Sequence, residues 1–154
     1  MNTFLRHTRF NNGHVLSIDV YTTPYGKGRP RFNKNGTAYT PQKTKEAEQL
    51  IHNEIEQALK KCMPGWSPIR TSISMTYTAY FGVPKSWTKG RKALTYGTEH
   101  TSKPDLDNLL KLVMDACNEV LYLDDSQIYY IEGFKVYCEQ DEEPHISLTL
   151  RWTE

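Results

Sequence analysis

Residues 103–128 read K-P-D-L-D-N-L-L-K-L-V-M-D-A-C-N-E-V-L-Y-L-D-D-S-Q-I. Leu106, Leu109, Leu110, Val113, Ala116, Cys117, Val120 and Leu121 recur at helical spacing and predict a helix over Asp107–Leu121 with one apolar face. Pro104 disfavours helix before it. Asp124-Asp125-Ser126 marks a turn, and strand signals then run from Ile128 to Cys138. A helix that feeds directly into a strand has to lay its apolar face on a sheet, and this sets the architecture expected for the rest of the chain.

The pattern continues on both sides. Downstream, His145–Trp152 alternates, with Ile146, Leu148, Leu150 and Trp152 on one face and Ser147, Thr149 and Arg151 on the other, as in a half-buried antiparallel strand. Upstream, Ile73, Met75, Tyr77, Ala79 and Phe81 alternate with Ser, Thr and Tyr in a second strong strand. Ala47, Leu50, Ile51, Ile55, Ala58, Leu59 and Cys62 predict another helix. Thr40 is its expected N-cap, Pro41 takes the first helical position, and Pro64-Gly65 ends it. Val15–Tyr21 reads as a strand, Thr22–Thr40 as a long loop or loose hairpin, and Val83–Pro104 as an exposed polar connection. The expected fold class is α+β: a single domain over 1–154, with a mixed or antiparallel sheet and two main helices packed on one face. Residues 1–13 are expected to form an N-terminal extension.

The chain has 154 residues, 38% of them apolar and 24% charged. That suits one globular domain and excludes a long disordered tail, a collagen-like rod or a coiled coil. No apolar run approaches the ~20 residues of a membrane-spanning helix, and the first twenty residues lack a signal-peptide core. Cys62, Cys117 and Cys138 are scattered and odd in number, and they read as reduced core thiols of a cytoplasmic protein. The net charge of +1 hides an asymmetry, because residues 1–103 carry 16 basic and 6 acidic side chains whereas residues 104–154 carry 3 and 12. A polyanionic partner on one surface and a cation site on another would explain it, and so would charges interleaved by folding.

Chemistry concentrates at the ends of the 107–121 helix. Asp105 and Asp107 stand at its start, where one of them can cap it, and Asp124 and Asp125 stand just past its end. Carboxylates that converge repel one another unless a cation neutralises them, and hard oxygen ligands favour Mg²⁺ or Mn²⁺. A 15-residue helix is about 22 Å long, so convergence does not follow from spacing alone. Lys111 lies one turn after Asp107, and Asp115 one turn after Lys111. These three form either an ordinary ion-pair ladder or a site with a catalytic cation.

Residues 103–128 also resemble the core signature of the RusA-type Holliday-junction resolvases. Gly26-Lys27-Gly28-Arg29-Pro30-Arg31-Phe32, Tyr39-Thr40-Pro41 and His100-Thr101 are similar to the Gram-positive and phage branch of that family. The resemblance implies a Mg²⁺-dependent endonuclease (Mn²⁺ as a substitute) that acts as a homodimer on branched DNA, the four-way junction above all. It implies that Asp105, Asp107 and Asp125 are essential metal-binding carboxylates, that Asp124 assists, and that Lys111 is the supporting catalytic lysine.

With that resemblance, Lys27, Arg29 and Arg31 are expected to contact DNA phosphates, with Tyr25 or Phe32 as a wedge at the branch point. A second basic stretch, Lys85, Lys89, Arg91 and Lys92 around Trp87, and Lys103 beside Asp105 are further DNA contacts. His100 is expected to bind phosphate or order its loop. Two alternatives remain: a non-catalytic DNA-binding module with the aspartates as caps, and a nuclease that prefers flaps or forks.

Overall fold

The computed structural model describes residues 2–154. In chain order the elements are β1 (Thr3–Phe10), β2 (Gly13–Val20), a hairpin of β3 (Arg31–Phe32) and β4 (Ala38–Tyr39), α1 (Gln42–Cys62), β5 (Ile73–Phe81), α2 (Lys89–Thr95), α3 (Leu106–Ala116), β6 (Ile128–Tyr137) and β7 (His145–Thr153). Five strands form one sheet in the order β1-β2-β7-β5-β6. Only β5 and β6 are parallel, and the connection between them carries α2 and α3. The expected α+β class with two main helices on one face is what the chain adopts.

The core lies between the sheet and these two helices. Alternate residues of β5, from Ile73 to Phe81, are buried, matching the period of a strand covered on one face. Leu16, Ile18 and Val20 of β2 and Ile146, Leu148 and Leu150 of β7 continue that surface. Against it α1 sets Ile51, Ile55 and Leu59, and α3 sets Leu109, Leu112 and Val113. Gly133 lets α3 sit close to β6, since a Cβ there would lie 3.0 Å from Leu106 Cδ1 and 3.2 Å from Leu110 Cδ2.

Three boundaries differ from the reading of the sequence. The helix predicted to reach Leu121 stops at Ala116. Val120, Leu121 and Tyr122 are buried, but by a tight turn: Glu119 has a positive φ and its N–H donates to the Tyr122 carbonyl. Trp66 Nε1 and the Ile69 N–H take the Val120 and Leu121 carbonyls. The helix predicted to be capped by Thr40 starts at Gln42, with Pro41 in the cap position and no side-chain cap. Residues 3–10, expected within an extension, are the edge strand β1. Cys117 and Cys138 are buried thiols as expected, whereas Cys62 is exposed at the end of α1. No described helix is long and apolar enough to cross a membrane.

Leu109 is fully buried at the α3–sheet contact. Leu109→Ala should cost about 2–5 kcal/mol and lower the melting temperature by roughly 5–15 °C. A calorimetric loss under about 1 kcal/mol would contradict this packing.

Candidate active site

The approach to α3 is held from three sides. Residues 97–100 lie along the outer edge of β6, where the Tyr137 N–H donates to Thr98 O (2.8 Å) and the His100 N–H to Lys135 O (2.9 Å). The His100 ring stacks on Phe81 with centroids 3.9 Å apart, and burial lowers its pKa, so it packs as a neutral ring. Lys135 Nζ donates to Ser102 O, and a cis peptide joins Lys103 to Pro104. On the other side, the Lys27 N–H donates to Asn108 O (2.9 Å) and the Gly28 N–H to Thr44 Oγ1 (3.0 Å). Gly26 presses on Pro104, where a Cβ would come within 2.8 Å, so the 26–28 segment threads between the starts of α1 and α3.

Asp105 takes the N-cap backbone conformation of α3 but makes no side-chain cap hydrogen bond. Its carboxylate instead accepts from Lys103 Nζ at 2.7 Å, which lowers its pKa. Asp107, in the first turn, is exposed. Capping therefore does not account for Asp105. Asp124 is different: it caps the 3₁₀ turn at Asp125–Gln127, accepting from the Ser126 N–H, while Gln127 Oε1 accepts from the Asp124 N–H. The resemblance gives Asp124 an assisting part at the metal, and in the fold one of its carboxylate oxygens also caps this turn.

The polar centre lies one to two turns further along α3. Asp115 accepts from Lys27, and Lys111 Nζ lies 3.3 Å from its other oxygen. Lys27 also lies 3.0 Å from Glu48 on α1. Burial is the largest single influence and opposes the charge on both Asp115 and Lys27, but their partners together outweigh it (Lys27 and Lys111 for Asp115, Asp115 and Glu48 for Lys27), so Asp115 is lowered and Lys27 raised. Asp125 is the opposite case. Burial, then a hydrogen bond shared with the Asp115 carboxylate, raises its pKa against the attraction of Lys111. Asp125, Asp115 and Lys111 thus form one coupled group. Asp105 and Asp107 sit nearer the helix start, and among the described residues no three Asp, Glu, His or Cys side chains close on a common point.

With this geometry in place, relatives can be compared. The sequence profile of the endodeoxyribonuclease RusA family matches residues 22–151. The chain belongs to the RusA endodeoxyribonuclease family. It is 31% identical to the Bacillus subtilis (strain 168) protein "Uncharacterized protein YqaN" over 143 residues, 88% of this chain and 95% of that protein. It is 31% identical to "Crossover junction endodeoxyribonuclease rusA" of Lactococcus phage r1t over 94 residues, 60% of each chain.

In this RusA-family chain the expected DNA contacts fall into three groups. Arg29 and Arg31 are exposed in the loop and hairpin that precede α1, with Phe32 exposed beside them. Arg29 is close enough to Asp105 to favour its charged form. Lys85, Lys89 and Arg91 are exposed around α2, with Lys92 partly covered, and the Arg91 guanidinium stacks 3.4 Å over Trp87. Lys103 pairs with Asp105 but stays largely exposed. Lys27 is the exception: expected to contact phosphate, it is half-buried between Asp115 and Glu48, where it ties α3 to α1. Asp115 is legible in the sequence only as a rung in a possible ladder. Glu48 carries no sequence signal, because its partner Lys27 lies in a separate segment of the chain.

The folded protein holds the Asp125 proton more tightly than the unfolded chain does, so this group adds stability in acid that fades as pH rises. Asp125→Asn keeps the shape and removes the charge. In EDTA at pH 7 the variant should melt higher than the parent by roughly 1–3 °C, with the gap closing toward about pH 4, the ordinary range of aspartate. A variant that melts lower at neutral pH would contradict the coupling to Asp115.

Proposed function

We propose that this chain is a Mg²⁺-dependent endonuclease that resolves four-way DNA junctions by paired symmetric nicks, acting as a homodimer in recombination and repair. Family membership supports nuclease chemistry, and the phage relative's printed name supports the junction as substrate. The metal reading is carried by the placement of the Asp125 and Asp115 carboxylates side by side next to Lys111, with burial and then Asp115 disfavouring the charge on Asp125. Two carboxylates held together with one disfavouring its charge are what a divalent cation relieves. Asp105, Asp107, Asp115 and Asp125 are all hard oxygen donors, which suits Mg²⁺ or Mn²⁺. The residues that would hold the ion in this reading are Asp105, Asp107 and Asp125, which do not close on a common point in this structure. When bound, Mg²⁺ supplies Lewis-acid stabilisation of the charge that develops on the phosphoryl oxygens.

The chain's own groups do the rest. Lys111 stabilises transition-state charge rather than taking a proton, since an ordinary lysine is a poor base at neutral pH. Arg29 and Lys103 lie near Asp105, and together with the exposed Arg31 they hold the backbone that flanks the scissile phosphate. Lys85, Lys89, Arg91 and Lys92 hold a more distant arm. Phe32, exposed at the hairpin, is the candidate wedge at the branch point. A two-fold dimer suits a junction that needs two symmetric cuts.

The test is cleavage of a labelled four-way junction beside a linear duplex, a flap and a fork, with Mg²⁺, Mn²⁺ or EDTA. Paired nicks on the junction alone, abolished by EDTA, are expected. Asp107→Asn should bind the junction normally and cleave at least about 100-fold more slowly. Tight binding without cleavage in either metal would favour the binding module, and faster cleavage of flaps or forks would move the substrate class. Replacing Arg29 and Arg31 with Ala should reduce the log–log salt slope of junction affinity by about 0.9 per lost phosphate contact. An unchanged slope would remove this loop from the interface.

A further inference from the structure

We propose that Tyr122 is a positioning residue of the candidate site: its hydroxyl braces the last turn of α3 against the turn that carries Asp125, and so fixes where Asp125 stands for a divalent cation. This rests on the metal reading above and deepens it. Asp115 and Asp125 come from different elements, the end of α3 and the 3₁₀ turn Asp125–Gln127. Two carboxylates side by side repel each other, so the structure around them has to impose their separation.

The chain on either side of Asp125 is pinned to one short segment, residues 69–71, which leads into β5. Before Asp125, the Ile69 N–H donates to Leu121 O (2.9 Å). After it, Gln127 Nε2 donates to Ile69 O (2.8 Å) and to Thr71 O (3.0 Å). None of these three bonds reaches α3. The Tyr122 hydroxyl does, donating to Met114 O at 2.8 Å. Its acceptor is the residue before Asp115, and Tyr122 itself stands three residues before Asp125. A shift of this brace therefore moves one carboxylate against the other.

The end of the helix makes room for the bond. The Asn118 N–H would continue α3 by donating to Met114 O, but it donates to Asp115 O instead (3.3 Å). A carbonyl left over at a helix end needs another donor, and Tyr122 supplies it. The Tyr122 side chain is fully buried, and a ring packed on every side holds its hydroxyl in one place. A buried phenol needs a partner in any case, so the bond alone does not separate a brace for the site from ordinary packing. Metal affinity does. Groups that orient a metal ligand without touching the metal change its affinity by about 10–100-fold when they are removed.

Tyr122→Phe removes one oxygen and keeps the ring. Mg²⁺ is titrated into metal-free protein without DNA and followed on the Asp125 carboxyl carbon by NMR, and junction cleavage is measured over the same Mg²⁺ range. In Tyr122→Phe both Mg²⁺ midpoints should rise by about 10-fold or more. Its kcat should recover at saturating Mg²⁺, and its junction affinity in EDTA should match the parent. Gln127→Met loosens the same turn from a partly exposed position, and it should move the midpoint in the same direction. Ile18→Val, a trim of the core on β2, is the control: it should lower the melting temperature and leave the midpoint alone. A parental midpoint in Tyr122→Phe, or an equal rise in the control, would overturn the brace and leave the metal reading standing. If Tyr122→Phe does not fold, a parental midpoint in Gln127→Met overturns it equally. A parent whose Asp125 carbon does not respond to Mg²⁺ overturns the brace and the metal reading together.

Discussion

The ion pair between Lys27 and Asp115 is the contact on which the candidate site depends. It is partly screened from water, it reaches Glu48 as well, and so it joins three separate parts of the chain: the 26–28 segment, α1 and the last turn of α3. Burial alone would disfavour each of these charges, and together the hydrogen bonds reverse that cost. Asp125, next to Asp115, is raised in pKa, first by its own burial and then by the charged Asp115 carboxylate.

The segments around this contact act as its supports. Gly26 and Gly28 allow the backbone to pass close to Pro104, Asn108 and Thr44. His100, stacked on Phe81, fixes the strap that leads into α3, and Gly133 allows α3 to settle on β6. The basic groups surround this assembly without belonging to it. Arg29, Arg31 and most of the basic residues around α2 are exposed, as suits groups that are to meet phosphates. The charge asymmetry along the sequence therefore mixes two things: cations directed outward, and Lys27 turned inward against Asp115 and Glu48.

Much of the fold is legible in the sequence because burial imposes period. β5 alternates along its whole length, and α3 shows its apolar stripe. Sequence and structure part where burial and period separate. Val120, Leu121 and Tyr122 are apolar and buried, yet a positive-φ turn carries them, so the apolar pattern runs on past the end of the helix at Ala116. β1 contains Arg6, His7, Thr8 and Arg9 at the sheet edge, where pairing to β2 rather than an apolar face holds it, and no pattern announces that. At the site, Asp124 and Asp125 are chemically identical neighbours. Only the turn geometry makes one a cap and the other the partner of Asp115. The Lys27–Asp115 contact spans 88 residues, and no local spacing contains it.

The central claim is that Asp115 and Lys27 hold Asp125 in a state that a divalent cation relieves. Carbon-detected NMR titration of the Asp125 carboxyl tests this directly, in metal-free protein and again with Mg²⁺. The account predicts a titration midpoint above the ordinary aspartate range without metal, and a clear fall when Mg²⁺ is added. A midpoint in the ordinary range that Mg²⁺ does not move would contradict it.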